Sequence, residues 1–160
     1  MRWTSSRPPA LDEVAILVGL LRDEPTLVEA RSPDGFTALH LAAFLGRDRA
    51  ARVLLGHGAD LEAVHPANGL RPLNSGAASR RAPMVRLLLA AGAEPDARQK
   101  GGFTALHSAA RHGDLAMTEA LLVHGADPSL AADDGQDALA FAREGGGEAV
   151  IRRLEASTRG

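Results

Sequence analysis

Apolar residues come in short blocks along this chain, never in long runs. Val53-Leu54-Leu55, Leu87-Leu88-Leu89 and Leu121-Leu122-Val123 mark one kind of predicted helix, whose bulk fills the space between neighbouring elements. Ala42-Ala43 and Ala109-Ala110 mark a second kind, whose small side chains let it lie close to its neighbours. The last helix is amphipathic, with Val150, Ile151 and Leu154 on one face and Glu148, Arg152, Arg153 and Glu155 polar. At the other end an apolar run predicts a helix at about 11–22, begun by Asp12 and Glu13 instead of a basic flank. Met1 to Ala10 are polar with two prolines, which predicts disorder and is not a secretory signal pattern. Arg, Asp or Gly cuts every apolar stretch within a few turns, well short of the roughly twenty residues that a membrane span requires. The chain is therefore expected to be soluble and cytoplasmic.

The blocks repeat. Gly35-Phe36-Thr37-Ala38-Leu39-His40-Leu41-Ala42-Ala43 returns as Gly102-Phe103-Thr104-Ala105-Leu106-His107-Ser108-Ala109-Ala110. Leu54-Leu55-Gly56-His57-Gly58-Ala59-Asp60 has counterparts at Leu88–Glu94 and Leu121–Asp127. The anchoring glycines Gly35, Gly69, Gly102 and Gly135 are spaced 34, 33 and 33 residues apart. Each such glycine suits a tight turn with positive φ. Thr37 and Thr104 then suit helix N-caps, with His40 and His107 reaching back as a histidine form of the capping box. Gly46 and Gly113 stand where a left-handed residue ends the first helix of a unit; Gly58, Gly92 and Gly125 end the second. His57 and His124, near the end of that second helix, are expected to favour its dipole, and Asp60 and Asp127 to bond local backbone.

A period of 33 residues with a Thr-x-x-His-x-Ala core resembles the ankyrin-repeat family, and within it the short, free-standing ankyrin proteins common in bacteria. The resemblance covers roughly residues 11–156. It implies an all-α repeat fold: an ankyrin solenoid of helix-turn-helix units joined by β-hairpin-like loops and capped at both ends. The expected organisation is a disordered 1–10, an N-terminal capping segment 11–31, repeats 32–64, 65–98 and 99–131, and a C-terminal capping repeat 132–157. Caps differ from middle repeats because their outer faces meet water, and Asp137 replaces the capping Thr in the last one.

The second full repeat departs from the pattern. It has Arg71 for Thr, Asn74 for His, Gly76 for Ala and Arg80 for Gly, but keeps Pro72. The connection leading into it is one residue longer and carries His65-Pro66. A non-glycine residue at positive φ costs roughly 1 kcal/mol, so Arg80 predicts either an altered helix end or tolerated strain. Two explanations stay open: drift in a repeat held by good neighbours, or specialisation for a partner.

Composition narrows the chemistry. The chain has 160 residues with 18 basic and 20 acidic side chains. Divided after Arg80, it holds 9 against 9 and then 9 against 11, so neither half looks like a nucleic-acid binder. There is no cysteine, which excludes disulfides, thiolate metal sites and cysteine nucleophiles. Lys100 is the only lysine and Gly101 follows it, so no phosphate-binding Gly-Lys-Ser/Thr loop exists. His40 and His107, like His57 and His124, lie two units apart, too far to share a metal. Ser108 directly follows His107, and neighbours in sequence do not face one another on a helix. Gly145-Gly146-Gly147 has no preceding strand and is expected to be a loosened turn in the end cap. No cofactor, metal or catalytic site is expected.

The resemblance also implies where a partner binds: on the concave surface made by the hairpin tips and the exposed side of each first helix. Carried over by position, this surface holds Phe36, Phe44 and Leu45, then Leu70, then Phe103, Arg111 and His112. Phe36, Phe44 and Phe103 are three of the four phenylalanines. An apolar patch bordered by charge marks an interaction site, and aromatics with arginine are typical anchors. Phe36 and Phe103 are equally suited to act as staples on their own repeats, which leaves Phe44 and Leu45 as the better contact candidates. The expected function is a monomeric, non-enzymatic module that binds one protein partner. The alternatives are a regulatory or protective subunit of a particular enzyme and, last, an enzyme in its own right.

Overall fold

The computed structural model describes residues 13–159; the expectations for 1–10 and for the first two residues of the capping helix lie outside them. Nine α-helices follow one another among the described residues: α1 (Glu13–Asp23), α2 (Ala38–Leu45), α3 (Asp48–Gly56), α4 (Pro72–Ala78), α5 (Ala82–Ala90), α6 (Ala105–His112), α7 (Leu115–Val123), α8 (Ala138–Gly145) and α9 (Glu148–Thr158). A single isolated bridge, Arg31 to Thr37, is the only β pairing among them.

The helices stack in two rows. Helices α2, α4, α6 and α8 pack successively on one another, and α1, α3, α5, α7 and α9 form the second row. The alanines set the first row's spacing: Ala43, Ala77, Ala109, Ala110 and Ala142 are fully buried. Leu54, Leu88, Leu121 and Leu154 from the second row fill the layer between, as the two kinds of apolar block predict. At the C-terminal end Val150 and Leu154 are buried and Ile151 packs against the core.

Between the rows the chain makes a short hairpin turn in each unit. Its closing hydrogen bonds recur at Ser32 N–H to Phe36 O, His65 N–H to Leu70 O, Gln99 N–H to Phe103 O and Ala132 N–H to Gln136 O, all 2.8–2.9 Å. Adjacent tips are tied by Lys100 N–H to Asn68 O and Asp133 N–H to Gly101 O, both 2.8 Å. The extra residue in the second tip widens its turn, so that Gly69 N–H reaches back four residues to His65 O, where Gly35, Gly102 and Gly135 reach back three. The His65 ring, buried beneath this wider turn, bonds Asp34 O at 2.7 Å and so links the first two tips through a side chain.

The triple glycine is not a loose turn. A Cβ on Gly145 would fall on the Arg111 carbonyl oxygen, and one on Gly147 would come within 2.8 Å of Gly113 Cα. These glycines let the end of α8 approach the backbone of the preceding unit.

Candidate functional site

The histidines of the repeated motif are structural. Thr37 Oγ1 accepts the His40 backbone N–H, and His40 Nδ1 accepts the Thr37 N–H at 3.2 Å while Nε2 donates to Leu70 O at 2.9 Å. In the third repeat His107 Nδ1 accepts the Thr104 N–H at 3.1 Å and Nε2 donates to Leu130 O at 2.8 Å. Only the neutral imidazole makes both bonds, and burial lowers the pKa of each ring below the ordinary histidine value. Both nitrogens are committed, so neither ring is available as a base. Ser108 Oγ donates to Ala77 O in the neighbouring helix. His57 and His124 bond the carbonyls four residues earlier through Nδ1, at 2.9 and 2.8 Å. Asp60 and Asp127 accept the Glu62 and Ser129 N–H groups. Among the described residues no three His, Asp or Glu side chains gather as a metal site, and no helix is long and apolar enough to cross a membrane.

Apart from these, the exposed side of the first row carries a graded surface. Phe44, Ala78, Arg111 and Glu144 hold the same position in α2, α4, α6 and α8. Phe44 is 53% exposed and Leu45 51%, and beside Phe44 a cleft of about 300 Å³ opens between α2 and α4, lined by Phe36, His40, Leu41, Phe44, Leu70, Ser75 and Ala78. Phe36 and Phe103 are half-buried, because other units cover them. The inserted His65 stacks on Phe36 at 4.3 Å. Phe141 meets Phe103 edge-on at 5.1 Å, and the Arg111 guanidinium lies over both rings at 5.1 and 4.9 Å. His112 is half-buried too, its Nδ1 lacking a partner; burial first, then Arg80 and Arg111, lower its pKa. The site thus unites Phe36, Phe44 and Leu70 around one cleft, leaves Leu45 exposed at the end of α2, and sets Phe103 apart with Arg111. Sequence reasoning missed Leu41, which is 44% exposed and lies three residues before Phe44. The helical i, i+3 spacing was signal enough to find it.

The irregular second repeat sits between these two parts, and its departures are unequal. Asn74 reproduces the lost histidine: Oδ1 accepts the Arg71 N–H at 3.1 Å and Nδ2 donates to Ala97 O at 3.3 Å. Arg71 supplies no side-chain cap in place of the hydroxyl and instead makes a 2.9 Å ion pair to Glu62, whose other oxygen accepts the Glu94 N–H. Arg80 is different. It adopts φ 62°, the only positive φ of a non-glycine residue in the described chain, and keeps the helix-ending bonds of a glycine, Arg80 N–H to Ala77 O and Arg81 N–H to Gly76 O. Gly46 and Gly113 make the same pair at φ 67° and 64°. The strain is tolerated, not avoided.

Comparison with known proteins gives one family: the one described as ankyrin repeats (many copies) matches residues 39–89 and 75–122. Similar proteins include the B-cell lymphoma 3 protein homolog of Mus musculus, 41% identical over 88 residues, which are 55% of this chain and 20% of that protein. The tyrosine-protein kinase Shark of Drosophila melanogaster is 32% identical over 110 residues, 68% of this chain and 12% of its own length. The nuclear factor NF-kappa-B p105 subunit of Mus musculus is 39% identical over 84 residues, 51% of this chain and 9% of its own. This chain spans a fifth or less of each. All three come from animals, so they lend nothing to the bacterial narrowing of the resemblance.

Proposed function

The chain belongs to the ankyrin-repeat family, and on that premise we propose that it is a non-enzymatic interaction module whose concave first-row face receives a protein partner at the cleft between α2 and α4. The observation that carries this reading is the open apolar ground around Phe44. Leu41, Phe44 and Leu45 are each more than 40% exposed on a single flank of α2, and the adjoining cleft is lined largely by carbon. A monomeric repeat protein gains nothing in its own fold from such a patch, whereas a partner's apolar side chain buried there contributes on the order of 25 cal/mol per Å². Arg111, held over Phe103 and Phe141, and the half-buried His112 lie further along the same row, on α6.

The test is capture from native lysate by wild-type protein beside Phe44→Asp. Phe44 is exposed, so the substitution should alter stability by no more than about 0.5 kcal/mol while abolishing capture of the partner. Retention of the same partner by the variant, at unchanged melting temperature, would move the interface to another face.

A further inference from the structure

Three arginines crowd the C-terminal ends of the first-row helices. Arg80 follows α4, Arg111 lies in the last turn of α6, and the Arg81 side chain lies against Gly46 at the end of α2, where a Cβ would meet its Cδ at 3.0 Å. None of the three has a carboxylate within 4.0 Å among the described residues; the ion pairs there use Arg22, Arg71, Arg143, Arg152 and Arg153. Of the acids around them, Asp114 is occupied in capping α7 through the Met117 N–H, and Glu144, at Arg111's position in α8, accepts from Gln136 Nε2. The cluster stands next to the apolar cleft, because Ala78 lines the cleft and precedes Arg80 by two residues.

Arg80 gives the cluster its meaning. Asn74 recovers what its substitution lost and Arg71 gains an ion pair to Glu62, whereas Arg80 gains neither: it bears left-handed strain at a position where the neighbouring units use glycine. Residues held in strained backbone conformations cluster at ligand clamps and other functional sites. Among the described residues the Arg80 charge has no carboxylate partner within 4.0 Å, so its role faces outward.

Resting on the reading that the α2–α4 cleft is the binding site, we propose that its ligand is an acidic peptide segment, with one large apolar side chain seated in the cleft and carboxylates over Arg80 and Arg111. Adjacent first-row helices lie roughly 8–10 Å apart and an extended chain advances about 3.3 Å per residue. The cleft lies between α2 and α4 and Arg111 on α6, about one and a half such spacings away, so the apolar anchor and the carboxylate over Arg111 are about four to five residues apart in the ligand. The cleft's apolar lining favours a side chain over a nucleic-acid backbone, which offers phosphate without such an anchor.

The experiment is selection of a displayed library of short random peptides on the wild-type protein, followed by fluorescence anisotropy of the enriched peptides on Phe44→Asp, Arg80→Gly and Arg80→Glu. Enrichment of a Leu, Phe, Met or Trp with Asp or Glu about four to five positions away on one side is expected. Arg80→Gly removes charge and strain together, so the protein melts higher while the peptides bind about two- to fivefold more weakly at low salt; loss of fold cannot explain that combination. Arg80→Glu weakens them further. Enriched peptides that depend on Phe44 but are neutral or basic, or whose affinity ignores Arg80→Gly, would overturn the acidic ligand and leave the cleft standing. Acidic peptides that respond to Arg80 but not to Phe44→Asp would overturn the cleft. A library yielding no binder sensitive to either position overturns both.

Discussion

At the scale of single residues, the two repeat histidines couple the fold to pH. His40 and His107 each accept a backbone N–H at Nδ1 and donate from Nε2, an arrangement closed to the imidazolium, which has no acceptor. Their folded-state pKa values lie below the unfolded value near 6.5. Between the two values the unfolded chain binds more protons than the folded one, so stability is complete above about pH 6.5 and falls as pH drops through the window beneath it. Urea unfolding at a series of pH values should show that decline. His107→Asn supplies a control, because Asn74 already performs the same two bonds with an amide that does not titrate. The variant is expected to show a shallower loss on acidification than wild type; an identical slope would place the acid sensitivity elsewhere. Arg80 belongs to this scale as well. Its strain was legible from its alignment with Gly46 and Gly113, and the αL backbone it adopts decides between the two outcomes that the sequence left open.

At the scale of elements, glycines at two helix positions have opposite consequences. Gly76 lies inside α4, where a Cβ would meet Met84 Cγ at 3.4 Å and Val85 Cγ2 at 3.5 Å, ordinary contact distances. Gly76→Ala should therefore recover helix propensity and raise stability by about 0.5–1 kcal/mol. Gly145, the last residue of α8, would drive its Cβ into the Arg111 carbonyl oxygen, and a backbone atom of a packed helix cannot swing aside. Gly145→Ala should cost about 1–3 kcal/mol. Paired denaturant titrations check both signs. The contrast also marks what the sequence could reveal. Helix positions, caps and turn glycines are set by neighbours in the chain, and a period of 33 residues exposes them by repetition. The tight approach of Gly145 to Arg111, and the covering of Phe36 by His65 and of Phe103 by Phe141, are made between units. The two coverings depend on one inserted residue and on one aromatic without a counterpart in the other units, and the Gly145 approach on a glycine peculiar to the last unit, none of which repetition advertises.

At the scale of the whole molecule, a stack in which each unit touches only its neighbours has no reason to be equally stable along its length. The two ends of the first row differ. Helix α8 buries Phe141 against Phe103, His107 and Arg111, so the last unit is clamped by an aromatic layer. Helix α2 begins the first row among the described residues, and α1 packs on α3 in the second row, leaving Leu41 and Leu45 on α2 and Ile16 and Leu20 on α1 each more than 40% exposed. Local opening follows the density of buried apolar contact. Native-state hydrogen exchange should therefore find the amides of α1, α2 and α3 opening at lower free energy than those of α6 and α8, with α4 between. This order bears on binding, since the cleft spans α2 and α4, at the boundary between the looser and firmer parts. A ligand seated there stabilises the state it binds in proportion to the logarithm of its concentration, so protection should rise in α2 and α3 before it changes in α6. Uniform protection across the stack, or earliest exchange in α8, would mean that the aromatic layer does not clamp the C-terminal end.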